Sequence, residues 1–265
     1  MLPKPEHLGS EYADQFKDRS VAAVYRHRPP YPEETFQILA GLITDQPRHV
    51  LDAGCGTGDL ARRLVMDVER VDAVDFSLAM LAYGRELPGA HHPHLKWIYG
   101  PIEEVALQPP YALITAGESL HWMSWEVVLP LFHDILTPHG YLAIAERGTE
   151  NNPWRNSEIE LIQRFSTNKA FRPYDLVQEL EQRQLFQKVG ESRTTPVPLT
   201  QSVEDYIQSI HSRNGFSYER MGEEAASAFD AEMRAVLTPF QQDGLLTLSL
   251  TAHITWGKPQ TLQAA

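Results

Sequence analysis

Cysteine is almost missing from this chain: Cys55 stands alone among 265 residues. One thiol cannot form an intramolecular disulfide, and the paired Cys and His spacings of zinc sites are lacking, so no metal centre is expected. That usage suits a reducing, cytoplasmic compartment. Long apolar runs are lacking too. Nothing approaches the roughly 20 residues needed to cross a bilayer. The amino terminus, MLPKPEHLGSEYADQF, has no apolar core of a secretion signal, so neither a leader nor a membrane partner is expected. Basic residues are the third scarcity: 23 Lys and Arg face 35 Asp and Glu, a formal net charge of -12. A nucleic-acid backbone would be repelled over most of such a surface, and no nucleic-acid partner is expected.

What is present is a 42% hydrophobic complement, enough for one large α/β domain or a core with an appendage, as a monomer or a weak dimer. Residues 32–46, PEETFQILAGLITDQ, space Phe36, Leu39, Leu42 and Ile43 along one helical face between Pro32 and Pro47. From there the period switches back and forth. HVLDA (49–53), RVDAVDF (70–76), LKWIYG (95–100), YALITAG (111–117) and YLAIAE (141–146) read as short strands, with helical patterns at 59–67, 77–87 and 125–136. Alternation of this kind predicts right-handed βαβ units and a mostly parallel sheet.

Beyond residue 147 the rhythm changes. Two helical patterns separated by Pro173 fill 153–184, strands are predicted at 186–200 and 245–257, and helices at 202–213 and 217–237. The expectation is an α/β fold with a seven-stranded, mostly parallel sheet, helices on both faces, and a helical cap inserted late and projecting over the strand ends. Residues 1–48 would supply a lid and the first helix, 49–147 a cofactor-binding core, and 148–265 the remaining strands with the cap for substrate.

LDAGCGTGDL (51–60) places Gly54, Gly56 and Gly58 between the first strand and its helix, where a nucleotide meets a doubly wound sheet. Spacing narrows the ligand. The dinucleotide pattern GxGxxG fails because Asp59 occupies its sixth position, and no Gly-Lys-Ser/Thr of a P-loop follows. An added carboxylate disfavours a pyrophosphate. Asp75, at the end of the second strand, suits a ribose diol, since a carboxylate accepts hydrogen bonds from both hydroxyls. Asp52 either orients the loop or meets a cationic group of the ligand. Cys55 reads as a small residue in a tight loop, with no base near it in sequence.

With these residues in view, the chain resembles the class I S-adenosylmethionine-dependent methyltransferases: LDAGCGTG is similar to their first motif and VDAVDFSLAML to their second. The resemblance implies a Rossmann-like fold and S-adenosyl-L-methionine as cofactor. Gly54, Gly56 and Gly58 would approach its methionine part with Asp52 helping, Asp75 would take the ribose, and Phe76 would lie against adenine. The family's third motif often reads Gly-Asp-Ala-Glu, whereas this chain has Gly100, Pro101, Ile102 and Glu103. Backbone around Pro101 and Ile102 would then line the adenine edge.

AGESLHWM (116–123) resembles a segment of a small-molecule branch that includes relatives of the trans-aconitate type. That likeness implies His121 as a general base or acceptor-positioning residue, Trp122 as a wall of the substrate pocket, and Glu118 as a contact to substrate or cofactor. In a purely structural alternative His121 caps the next helix and Trp122 packs in the core. VAAVYRHRPPYP (21–32) resembles the amino-terminal signature of the same branch. Tyr25, Arg28 and Tyr31 would fold over the site, Arg28 meeting a carboxylate and Tyr31 the substrate. The alternative is a proline-ordered entry to the first helix. HSRNGFS (211–217) adds His211 and Arg213 as substrate-facing candidates, with a solvated helix end as the plainer reading. The function so implied is methyl transfer to a small molecule by in-line displacement, giving S-adenosylhomocysteine. Its competitors are a protein that binds the cofactor without methyl transfer, such as a cyclase or regulator, and an NAD(P) oxidoreductase.

Overall fold

Strand residues feed two separate cores, as a parallel sheet covered on both faces requires. The computed structural model describes residues 4–261; the expected lid begins at residue 1 and the last segment ends at 265, so residues 1–3 and 262–265 lie outside the described residues. The strands are β1 (His49–Ala53), β2 (Arg70–Asp75), β3 (Leu95–Tyr99), β4 (Tyr111–Gly117), β5 (Leu136–Glu150), β6 (Phe186–Arg193), β7 (Val197–Ser202) and β8 (Leu245–Pro259). They form one sheet in the order β3-β2-β1-β4-β5-β8-β6, with β7 pairing on β8. β1 to β5 run parallel. β8 lies antiparallel to β5, β6 and β7.

Successive side chains of a strand point to opposite faces. Leu51 and Ala53 of β1, with Ile114 and Ala116 of β4, therefore pack under Trp125, Val128 and Phe132 of the helix Trp125–Ile135. Val50, Leu113 and Ala143 face the other way, onto Leu39, Leu64 and Leu81. No helix among the described residues is long and apolar enough to cross a membrane.

The sheet has eight strands rather than the seven expected, because residues 186–200 form two. At the break the Ala252 N–H donates to the Thr194 hydroxyl (2.9 Å) in place of a backbone carbonyl, and the Thr195 N–H turns away to Glu34 (2.7 Å). Pro196, which follows, has no N–H to continue the ladder. The helical pattern at 217–237 also splits, at Gly222, where φ is 78°.

The late insertion builds its own core. Trp154, Leu161, Ile207, Ile210, Phe229 and Met233 pack on Leu246 and Leu248 at the start of β8, which anchors the cap to the sheet. At the amino end, Val21 and Ala22 pack on Met80 beside Phe16 and Tyr25, laying the first residues across the carboxyl ends of the strands.

Candidate active site

Loops from the carboxyl ends of β1, β2 and β4 surround a cavity of about 220 Å³. The first loop is shaped by glycine. Gly54 and Gly56 have φ of 68° and 56°, a region that side chains disfavour. A Cβ at Gly54 would stand 2.5 Å from Cβ of Ser119, so the loop and the end of β4 meet there only because the side chain is absent. At Gly56 the nearest atom to such a Cβ would be the Tyr25 hydroxyl, 3.7 Å away, which leaves this backbone open to the cavity. Gly58 lies outside it, against the Trp97 ring.

Asp75 closes the loop from β2. Its Oδ2 accepts the Gly56 N–H and its Oδ1 the Ser77 N–H, both at 2.7 Å. The carboxyl lines the cavity, and burial pushes its pKa up to about 6. Asp52 sits below. Its oxygens accept the Thr115 hydroxyl (2.9 Å) and the Ala61 N–H (3.1 Å), and burial raises its pKa to about 7. It lines a small hollow beside this cavity rather than the cavity itself, and both its oxygens are taken by the loop and β4, so of the two roles expected of it the geometry fits loop orientation better than contact with a cationic ligand. Phe76, Ile102 and Met80 form an apolar wall beside Asp75. Cys55 is buried, and burial raises its thiol pKa, as befits a small residue in a tight loop.

A chain of charges crosses the other end. Glu118, held at φ 52° just after β4, accepts from Nη1 of Arg28 (2.9 Å) and from the backbone N–H of Arg147 (3.3 Å). Burial alone would raise the Glu118 pKa, but Arg147 and Arg28 outweigh it and hold the group below its ordinary value. Arg147 also reaches Asp59 at 2.8 Å, and Arg62 reaches the same carboxylate at 3.0 Å. Asp59 is thus neutralised internally, a correction to its expected role in repelling a phosphate. That role falls to Asp75 and Glu103 on the cavity wall, since Glu118 is paired with Arg28 and Asp14 with Lys17 at 2.6 Å. Arg28 lies over the Tyr25 ring at 4.5 Å, and on the cavity wall its guanidinium is paired with Glu118.

Trp122 lines the cavity, its ring 5.6 Å from that of Phe16. The remaining expectations are corrected. His121 lies behind Trp122, ring centroids 4.6 Å apart, and is not on the wall; the three-residue turn Leu120–Trp122 aims the two rings differently. Burial, reinforced by Lys4, Arg28 and His7 against the opposing pull of Glu118, lowers its pKa to about 4. Tyr31 is buried, with the Arg147 guanidinium 4.8 Å from its ring, and does not reach the cavity. His211 is buried in the cap, its ring nitrogens 2.6 Å from Asp230 and 2.8 Å from the Phe216 carbonyl. Arg213 turns to Glu158 at 3.4 Å. Both residues point away because their turn folds back on its own helix and on the amino-terminal segment. Sequence reasoning missed Arg147, whose one signal was a lone arginine directly after the apolar strand YLAIAE, and it missed Asp14 and Phe16, which no motif marks.

Residues 50–140 match a family described as a methyltransferase domain. The trans-aconitate 2-methyltransferase of Paracidovorax citrulli is 33% identical over 123 residues, which is 44% of this chain and 45% of that protein. The chain spans less than half the length of curated relatives it matches, 41% in one and 45% in another. Among solved structures, a putative type II methyltransferase from Anaeromyxobacter dehalogenans is similar at a TM-score of 0.62 and 20% identity, over 88% of this chain and 97% of that one. An S-adenosylmethionine-dependent methyltransferase from Thiobacillus denitrificans, in complex with S-adenosylhomocysteine, gives 0.51 at 14% identity, over 91% and 97%. Residues 50–140 thus resemble a methyltransferase domain, and the chain shares the α/β fold of these methyltransferase structures.

Proposed function

We propose that this protein is an S-adenosylmethionine-dependent methyltransferase acting on a small-molecule acceptor and releasing S-adenosylhomocysteine. One observation carries the reading. On the wall of the cavity at the glycine loop, Glu118 is paired with Arg28 and Asp14 with Lys17, so Asp75 and Glu103 give the wall its surplus of negative charge and its single guanidinium is already taken. Such a wall attracts a ligand bearing a sulfonium and an ammonium, and it repels the pyrophosphate of a dinucleotide. The Thiobacillus denitrificans protein holds S-adenosylhomocysteine in the same fold, in keeping with this cofactor.

S-adenosylmethionine bound there supplies a methyl group activated by positive sulfur. The residues of this chain bind it, orient it and exclude water. Each oxygen of Asp75 accepts one backbone N–H and keeps a lone pair for a ribose hydroxyl. Phe76 and Ile102 would wall the adenine, the open backbone at Gly56 would run beside the methionine, and Tyr25 and Trp122 would close the remaining sides. Transfer would need the acceptor's lone pair in line with the C–S bond that breaks, so orientation in a dry site would be the protein's main contribution.

His121, off the wall and with a pKa near 4, is too weak a base to deprotonate a phenol or an ammonium at neutral pH. An acceptor whose lone pair is free without loss of a proton to His121 fits this site better. A single buried thiol suits a reducing, cytoplasmic setting. The test is calorimetry with S-adenosylhomocysteine and with NAD⁺, followed by turnover of S-adenosylmethionine with carboxylates, phenols and amines. Binding of NAD⁺ alone refutes the proposal, and cofactor binding with no transfer to any acceptor favours a binder without activity.

A further inference from the structure

HSRNGFS (211–217), expected to face substrate, grips the amino-terminal segment instead. At the centre of the grip is Gln15, 1% exposed. Its Nε2 donates to the Arg213 carbonyl and its Oε1 accepts the Gly215 N–H, each at 2.8 Å. Asn214 donates to the Tyr12 carbonyl at 2.7 Å, Ser217 to Asp18 at 3.0 Å, and Ser212 receives Arg28 on both its hydroxyl and its carbonyl at 2.8 Å. The gripped segment consists of turns and helices of three or four residues, Glu6–Leu8, Ser10–Ala13 and Asp14–Lys17. Pieces this short do not hold their shape alone. Their placement depends on what they are tied to, and the cap that ties them is anchored on β8.

Gln15 stands between Asp14 and Phe16, and both of these line the cofactor cavity. A buried amide with donor and acceptor both satisfied fixes the backbone on either side of it, and truncation would take from the Gly215 N–H its acceptor and leave the Arg213 carbonyl only the Phe216 N–H at 3.2 Å. We propose that Gln15 is a positioning residue of the cofactor site: through its two bonds to the 211–217 turn it holds Asp14 and Phe16 over the bound nucleoside, and cofactor exchange proceeds by parting this clasp. The inference rests on the methyl-donor reading of the cavity.

The test follows release of S-adenosylhomocysteine from the wild-type chain, Gln15→Ala and Asn214→Ala by stopped-flow tryptophan fluorescence, with ligand-free thermal midpoints alongside. Gln15→Ala is expected to release the ligand about tenfold faster and Asn214→Ala about threefold faster. Unchanged release in both, with lower ligand-free midpoints alone, gives the clasp a merely structural role and overturns the proposal. If Gln15→Ala does not fold, Asn214→Ala decides. Hydrogen exchange on the wild-type chain needs no variant: on ligand addition, amides of 12–17 and 211–217 are expected to gain protection together, and protection of one without the other overturns the clasp. Failure of the wild-type chain to bind S-adenosylhomocysteine at all overturns the methyl-donor reading itself, an outcome distinct from the others.

Discussion

Replacing Asp75 by alanine tests the assignment of the ribose. Each oxygen of this carboxylate accepts one backbone N–H at 2.7 Å and has a lone pair left for the cavity. Two hydroxyls donating to it would contribute about 1.5–3 kcal/mol each, and water filling the vacated space offsets part of that. The net loss expected is roughly 3 kcal/mol, or about a hundredfold in Kd. Asp75→Ala also frees the N–H groups of Gly56 and Ser77, so a weaker loop is a rival cause. Calorimetry on a cycle separates the two: wild type and variant, each with S-adenosylhomocysteine and with an analogue lacking both ribose hydroxyls. The wild-type chain should prefer the natural ligand by about a hundredfold, and the variant should bind both ligands alike near the weaker value. If the substitution weakens both ligands by the same factor, the effect runs through the loop and the ribose assignment is refuted. Protonation has the same sense. The Asp75 pKa is near 6, and a proton competes with the hydroxyls for the carboxylate, so affinity should fall as pH drops through 6 and hold steady above it.

Three further outcomes are expected. The folded-state pKa of His121, about 4, lies below its ordinary 6.5, so its contribution is present above 6.5 and lost as pH falls toward 4; urea titrations should show His121→Gln losing less stability over that window. The difference is on the order of 2 kcal/mol, and equal acid losses in both proteins would refute it. Arg147→Met should cost about 3 kcal/mol in denaturant unfolding, because Asp59 and Glu118 lose their shared cation; adding Glu118→Gln should return part of that loss, and no recovery would disconnect the pair. Gly54→Ala should destabilise the chain by about 2 kcal/mol or more, through the clash with Ser119 added to backbone strain, whereas Gly56→Ala should be milder in stability and still weaken S-adenosylhomocysteine. The reverse order in thermal midpoints would contradict the loop geometry.

The central strands β1, β2 and β4 were legible because they are buried along nearly their whole length and their turns are marked. HVLDA is β1 residue for residue, and YALITAG is β4. The extra strand escaped notice because it depends on a side-chain substitution in the ladder, Thr194 facing Ala252, which no local pattern reveals. In the candidate site, Tyr25, Arg28, Gly54, Gly56, Asp75, Phe76, Ile102, Glu118 and Trp122 reach the cavity wall, whereas Asp52, Gly58, Tyr31, His121, His211 and Arg213 do not. The first group mostly sits on loops whose position follows from the strand ends. In the second group, Asp52 and Gly58 share the motif loop but turn inward, and elsewhere a motif does not say which way a ring points: His121 and Trp122 are neighbours in one tight turn, yet only the tryptophan faces the cavity. The grip of residues 211–217 on Gln15 links positions about two hundred apart, beyond the reach of any periodicity.

β5 does not stop where β4 does. After Ala145, the last partner of β4, it continues from Glu146 to Glu150 against the His253–Ser249 stretch of β8, and the next residues of β8 enter the core of the cap. One ribbon of two strands therefore belongs to both lobes, and Arg147 stands at the point where it leaves the first for the second. A lobe hung on such a girder cannot swing freely. The space between the two lobes is set by hydrogen-bond register, so acceptors of different size would have to be accommodated by changes in the loops and helices of the cap while the spacing of the ribbon stays the same.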